Sequence, residues 1–231
     1  MTSEFNEPAG KPLSGIKNLF PPEFYVIALP FYIAGAALLL LFDKGSLHLM
    51  INKFHSPFSD FVFRRITNLG DGLAAVIAAV IFLNSKNKHG LLIGLSSLLS
   101  GLFTQLLKHS WFSGMVRPSK YFAASDILYK VPGVELFSFN SFPSGHSATI
   151  FSICLALSII IKKRAWRIVF ASAALLVAFS RVYLSQHFFM DIYFGSMLGI
   201  ASVYISYFLL DLWERKGASW LDRPLFGKKL I

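Results

Sequence analysis

Charge-free apolar runs alternate with short polar breaks along this chain, and most runs have the length of a bilayer-crossing helix. Phe24 to Phe42 carries no charge over nineteen residues, enough at about 1.5 Å per residue to cross a hydrocarbon core about 30 Å thick. Pro30 within it removes one backbone donor and predicts a kink. From 43 to 67 the pattern is mixed: Leu47, Met50, Ile51, Phe54, Phe58, Phe61, Val62 and Phe63 are interleaved with polar residues. This predicts an amphipathic helix lying in the membrane interface, with His48 and His55 at headgroup level. Leu69 to Leu83 predicts a second span, opening with Asp71 between Gly70 and Gly72 and read as a helix-start cap. Gly90 to Leu107 predicts a third, ending at Lys108, where Gly94, Ser96, Ser97, Ser100 and Gly101 suit close helix packing. After the longest break, His109 to Phe142, come spans four to six: Ser144 to Ile161, Trp166 to Tyr183 and Phe188 to Trp213. The expected fold is all-α, a six-transmembrane-helix bundle with one interfacial helix.

Composition agrees. The chain has 231 residues, 55% of them hydrophobic, above the roughly 45–50% of soluble domains, and its mean hydropathy is +0.57. With no linker or repeat, residues 1–231 read as a single membrane-embedded domain, with a polar N-terminal tail (1–23) and a basic C-terminal tail (214–231). The N-terminal stretch holds Glu4, Glu7, Pro8 and Pro12 and lacks a signal-peptide pattern, so the first span is expected to stay as an anchor. A net charge of +10 raises nucleic-acid binding, but the basic residues sit between spans, where topology and anionic headgroups account for them. Cys154 is alone in an apolar run, which excludes an intramolecular disulfide and reads as a small core residue.

Charge also orients the bundle. Six spans place both termini on one side, and thirteen of the 22 Lys and Arg residues fall there against nine opposite. Positive charge marks the cytoplasmic side. The expectation is a multi-pass protein of the cytoplasmic membrane with cytoplasmic termini and an extracytoplasmic loop region between spans three and four. The ends of spans three and five and the starts of four and six then share the outer face, and the polar residues there need an explanation.

Those residues form three clusters: Lys108 with Arg117-Pro118, then Phe142-Pro143-Ser144-Gly145-His146, then Ser180-Arg181 with His187 and Asp191. His187 and Asp191, four apart, share a helix face. A carboxylate there can hold one imidazole nitrogen as N–H and leave the other as a nucleophilic lone pair. Ser144, Gly145 and His146 open span four, where free backbone N–H groups and the helix dipole favour a phosphate and His146 can protonate a leaving oxygen. Arg117, Arg181 and Lys108 can neutralise phosphoryl oxygens. Singly each cluster is weak, since a polar helix start or a snorkelling cation is common. Together, on one membrane face, they point to phosphoryl transfer.

The three clusters resemble the signature of the type 2 phosphatidic acid phosphatase family, bacterial membrane lipid phosphatases among them. The resemblance runs from Lys108 to Asp191, and the six-span layout extends it. It implies that His187 is the nucleophile forming a phosphohistidine, that Asp191 orients it and that His146 is the general acid. Lys108, Arg117, Ser144, Gly145 and Arg181 would bind the phosphate. The first cluster departs from the family pattern, with eight residues between lysine and arginine instead of six, so Lys120 is an alternative to Lys108. Lys120 and Tyr121 are further candidates for substrate contact, and the segment from Lys120 to Phe142 is expected to choose the substrate.

The implied substrates are lipid phosphates: undecaprenyl diphosphate, phosphatidylglycerophosphate, phosphatidic acid or lipid A. No cofactor or metal is implied, since a two-metal site wants clustered carboxylates and only Asp126, Glu135 and Asp191 lie between the first and last clusters. The alternative is a lipid or ion transporter, which would place ionisable residues deep within spans rather than at their ends. A lesser alternative is chemistry like that of the vanadium haloperoxidases, whose site is similar.

Overall fold

The structure is a computed structural model that describes residues 19–125 and 127–225. Met1 to Asn18, with the polar stretch around Glu4, Glu7, Pro8, Pro12, Lys11 and Lys17, lies outside the described residues, as do Asp126, Lys228 and Lys229. The described residues contain helices and no strands. The α-helices are α1 (Pro22–Leu41), α2 (Lys44–Asn52), α3 (Pro57–Ile66), α4 (Gly72–Leu83), α5 (Asn87–His109), α6 (Pro118–Tyr121), α7 (Gly145–Ile160), α8 (Arg164–Tyr183) and α9 (Phe189–Arg215).

Four of these, α1, α5, α8 and α9, are long and apolar enough to cross a membrane. The expected second span is not one helix from Leu69. Thr67–Gly70 forms a 3-10 turn, and α4, twelve residues long, meets the α3 segment at a 57° bend; taken as one broken span, the pair makes five. The fourth expected span is α7, sixteen residues and about 24 Å long. Its buried residues run round every face, so its neighbours, not lipid, cover it. The mixed region forms two short helices, each started by its own cap: Asp43 accepts from Gly45 and Ser46 N–H at 2.9 and 3.0 Å, and Ser56 accepts from Ser59 N–H at 3.2 Å.

Helix α7 is the hub, packed on α5, α8 and α9. The outer helices keep wide apolar faces uncovered by protein; Leu40 on α1 and Leu73 on α4 are 87% and 70% exposed, which suits lipid and not water. Ion pairs mark one end of the bundle. There Arg167, at the start of α8, meets Glu23 of α1 at 3.0 Å, and Lys88 of α5 meets Glu214 of α9 at 3.2 Å. The described part of the expected C-terminal tail is folded onto this end: Leu221 is fully buried, Asn87 N–H donates to the Arg223 carbonyl at 2.8 Å, and Asp222 pairs with Lys86 and Lys88.

Small residues do bring helices together: on α5, Ser96 and Ser100 are fully buried and Ser97 Oγ lies 3.1 Å from Ser152 Oγ of α7, while the two glycines expected there contribute little. A side chain at Gly101 would meet open space and one at Gly94 only an ordinary contact. On α5 the tight glycine is Gly90, whose Cβ would fall 2.5 Å from the Ala79 carbonyl oxygen. On α9, a Cβ at Gly195 would fall 2.5 Å from the Ser144 carbonyl oxygen, and one at Gly199 would strike the Ala148 carbonyl oxygen. Backbone cannot yield as a side chain can, so Gly199→Val is expected to cost about 1–3 kcal/mol and to lower the unfolding temperature in detergent. A variant that melts with the wild type would show that α9 and α7 can separate freely.

Candidate active site

At the end opposite the ion pairs, chain reversals bring the three clusters together. Lys108 ends α5, Arg117 precedes α6, Ser144 caps α7, Arg181 lies in the last turn of α8, and His187 and Asp191 flank the start of α9. Ser144 N–H donates to the Asp191 carbonyl at 3.0 Å, which ties the start of α7 to that of α9. Gly195 beside Ser144 allows that approach. His146 and His187 lie within electrostatic reach of each other and of Lys108, Arg117 and Arg181.

His187 is 2% exposed, with its main-chain N–H donating to the Arg181 carbonyl at 3.1 Å. Its Nδ1 lies 3.3 Å from Asp191 Oδ2. The same carboxylate oxygen accepts from the Phe188 N–H at 3.0 Å and from the Ser141 hydroxyl at 2.5 Å. Burial, reinforced by Arg117, Arg181 and Lys108, holds the His187 imidazole well below its ordinary range, so it is neutral at pH 7. With Nδ1 turned to the carboxylate, the free lone pair is on Nε2.

The cations differ in what occupies them. Arg117 spends its guanidinium on backbone, donating from Nε to the Phe139 carbonyl at 2.8 Å, from Nη1 to the Gln186 carbonyl at 3.0 Å and from Nη2 to the Asn140 carbonyl at 3.4 Å. It therefore braces the 137–141 strip against the His187 loop while bringing its charge near. Arg181 donates from Nη1 to Thr67 Oγ1 at 2.8 Å, and its buried Nε has no partner among the described residues. Lys108 is 8% exposed and makes no side-chain hydrogen bond among the described residues. Lys120 is exposed, whereas the charge of Lys108 acts on both His146 and His187, so the geometry brings Lys108 to the histidines despite its wider spacing from Arg117. Tyr121 is 45% exposed at the rim, beneath the Lys44 ammonium at 5.1 Å from its ring. A cavity of about 260 Å³, lined by Thr67, Glu135, Phe137, His146, Arg181 and Gln186 among others, opens beside this cluster.

Two expectations are corrected. Asp71 holds the N-cap position of α4, but its side chain caps nothing; Oδ1 lies 2.7 Å from His146 Nε2. The 3-10 turn brings the carboxylate against another helix and away from its own N–H groups. His48 does not face headgroups: it is fully buried in protein, with Nε2 3.1 Å from Ser185 Oγ and its ring against Phe122 and Phe188. Burial pushes its imidazole down to about 4. Asn52, one turn on, also donates to Ser185 Oγ, at 3.3 Å, so α2 braces the loop that carries His187. His55 stacks on Tyr129 at 3.7 Å. Ser141 and Gln186 were also missed, although both adjoin the clusters in sequence.

Comparison with known proteins matches this arrangement. The PAP2 superfamily profile covers residues 89–214, which hold all three clusters. A lipid A 4'-phosphatase of Bacteroides thetaiotaomicron is 27% identical over 187 residues, 78% of this chain and 81% of that protein. One from Porphyromonas gingivalis is 28% identical over 183 residues, covering 77% and 76%. Among solved structures, Aquifex aeolicus LpxE superposes with a TM-score of 0.61 at 25% identity, covering 70% of this chain and 93% of that one. A Bacillus subtilis transmembrane PAP2-type phosphatidylglycerolphosphate phosphatase gives 0.60 at 26% identity, covering 82% and 96%. By the match across more than half its length, and with its histidines gathered where that match lies, the chain belongs to the PAP2 superfamily.

Proposed function

We propose that this protein is an integral membrane lipid phosphatase that releases phosphate through a phosphohistidine on His187. The observation that carries the reading is the buried, neutral His187 imidazole, held through Nδ1 by Asp191 and surrounded by Lys108, Arg117 and Arg181. Nε2 attacks phosphorus in line with the departing lipid oxygen, while His146 protonates that oxygen. The three cations, with the backbone at Ser144 and Gly145, stabilise the charge on the equatorial oxygens. Water then attacks the phosphohistidine and regenerates His187. These cations supply the electrostatic stabilisation that a metal gives other phosphatases, so the reaction is metal-independent.

The two curated relatives, both lipid A 4'-phosphatases, support lipid A as the first substrate to test, and the Bacillus subtilis structure supports phosphatidylglycerophosphate as the second. An apolar cavity of about 540 Å³ between α4 and α5, running from Gly72 past Gly101 and reaching Thr149 of α7, suits acyl chains beside the site. In the membrane, α1, the α3–α4 pair, α5, α7, α8 and α9 make six crossings, α2 lies in the interface, and the termini are cytoplasmic. The site then faces outward from the cytoplasmic membrane.

Purified protein in detergent, assayed in EDTA against lipid A, phosphatidylglycerophosphate, phosphatidic acid and undecaprenyl diphosphate, is expected to release phosphate, fastest from lipid A. Loss of turnover in EDTA with recovery on adding a divalent ion would overturn the phosphohistidine scheme. A preference for another lipid would overturn the substrate.

A further inference from the structure

The turn between α3 and α4 lies outside the three clusters, yet it is built into the site at three points. Thr67 Oγ1 accepts from Arg181 Nη1 at 2.8 Å. Gly70 lies against the backbone of His146: a Cβ there would come 3.1 Å from both the Cβ and the carbonyl oxygen of His146 and 3.2 Å from Val177. Asp71 then places Oδ1 2.7 Å from His146 Nε2. The 57° bend at this point thus presses one turn onto both the α7 histidine and the α8 arginine.

The contact does little for stability. The side chains of His146 and Asp71 are 28% and 47% exposed, and ion pairs open to solvent add little. Its consequence is for proton handling. A carboxylate at Nε2 keeps a proton on that nitrogen, which leaves Nδ1 as the nitrogen able to exchange one. This mirrors the other dyad, in which Asp191 holds Nδ1 of His187 and frees Nε2. The site therefore has two carboxylate–imidazole pairs of opposite sense, one for the nucleophile and one for the acid.

We propose that Asp71 is a positioning residue for departure of the lipid, holding Nε2–H of His146 so that Nδ1 handles the transferred proton. As the P–N bond to His187 Nε2 forms, the P–O bond breaks with its electron pair going to the lipid oxygen. With the phosphate dianion bound against Lys108, Arg117 and Arg181 and offsetting their charge, His146 holds a second proton, on Nδ1, which passes to that oxygen. Neutral His146, with Nε2 still facing Asp71, then accepts at Nδ1 the proton of the water that attacks the phosphohistidine. This deepens the phosphatase reading and rests on it.

The test compares kcat/KM, which reports steps up to leaving-group departure, for an alkyl lipid phosphate and for p-nitrophenyl phosphate. An alkoxide needs a proton to leave; nitrophenolate does not. Asp71→Asn is expected to lower kcat/KM for the alkyl phosphate about 10–100-fold, with less than about a threefold change for the aryl phosphate and an unchanged melting temperature. Asp71→Glu is expected to recover most of the loss, and Asp71→Asn in a His146→Gln background to add nothing further. Equal losses on both substrates would overturn the proposal, as would no loss on either or full additivity with His146→Gln. Should Asn at 71 unfold the protein, Asp71→Ser carries the same comparison. Wild-type protein that releases phosphate from neither substrate would remove the phosphatase reading and this proposal with it, an outcome distinct from any change in their ratio.

Discussion

His187→Ala is expected to abolish phosphate release, with a fall of about 10⁴-fold or more in kcat, while the protein remains folded in the membrane. The side chain is buried but lightly attached: its Nδ1 meets Asp191 Oδ2, which keeps the Ser141 hydroxyl and the Phe188 N–H when the imidazole is gone. The loop is held by other means, with Ser185 bonded by His48 and Asn52 and the main chain of Gln186 and His187 donating to the Arg181 carbonyl. Truncation therefore removes the proposed nucleophile and leaves its support. Wild-type protein mixed with phosphate-labelled lipid and quenched in alkali should carry a labelled, acid-labile adduct, and the alanine variant none. A variant that turns over at the wild-type rate, or still takes up label, would end the assignment of His187.

Much of this site is legible in the sequence because its polar residues lie where apolar runs stop. Lys108, Ser144, Arg181 and His187 each adjoin the end of a run, so their convergence follows once the runs are read as antiparallel helices, and the end pairs of α1 with α8 and α5 with α9 agree with that direction. Asp71 is harder to read. A carboxylate at the start of a helix can satisfy its own backbone or reach a neighbour, and both solutions have the same sequence; the choice is made by the 3-10 turn and by Gly70 against His146. His48 is likewise hidden, because the rings that enclose it, Phe122 and Phe188, come from distant parts of the chain. Hydropathy also overstated the regularity of the spans. Runs 69–83 and 144–161 look like their neighbours, but the first is broken at a bend and the second is a short helix enclosed by others. Periodicity reports how apolar a segment is, and not whether protein or lipid surrounds it.

Asp191→Asn should separate orientation of the nucleophile from capture of the phosphate. Asp191 Oδ2 accepts from His187 Nδ1, the Phe188 N–H and the Ser141 hydroxyl, while the buried Oδ1 has no partner among the described residues. If the asparagine oxygen takes the first position, the amide N–H groups are buried where nothing accepts them; if the amide turns, it faces three donors. Neither placement keeps the negative charge that stabilises His187 as positive charge builds on it, and neither fixes the proton on Nδ1 as firmly. The expected result is a fall of about 10³-fold in kcat. Lys108, Arg117 and Arg181 are untouched and a neighbouring negative charge is removed, so inorganic phosphate should inhibit the variant at least as strongly as the wild type. A variant with wild-type turnover would show that the lone pair of His187 needs no carboxylate behind it. One that had lost phosphate inhibition along with turnover would place Asp191 in the architecture of the anion pocket, because a residue that only directs an imidazole has no reason to weaken the hold of three cations on a phosphate.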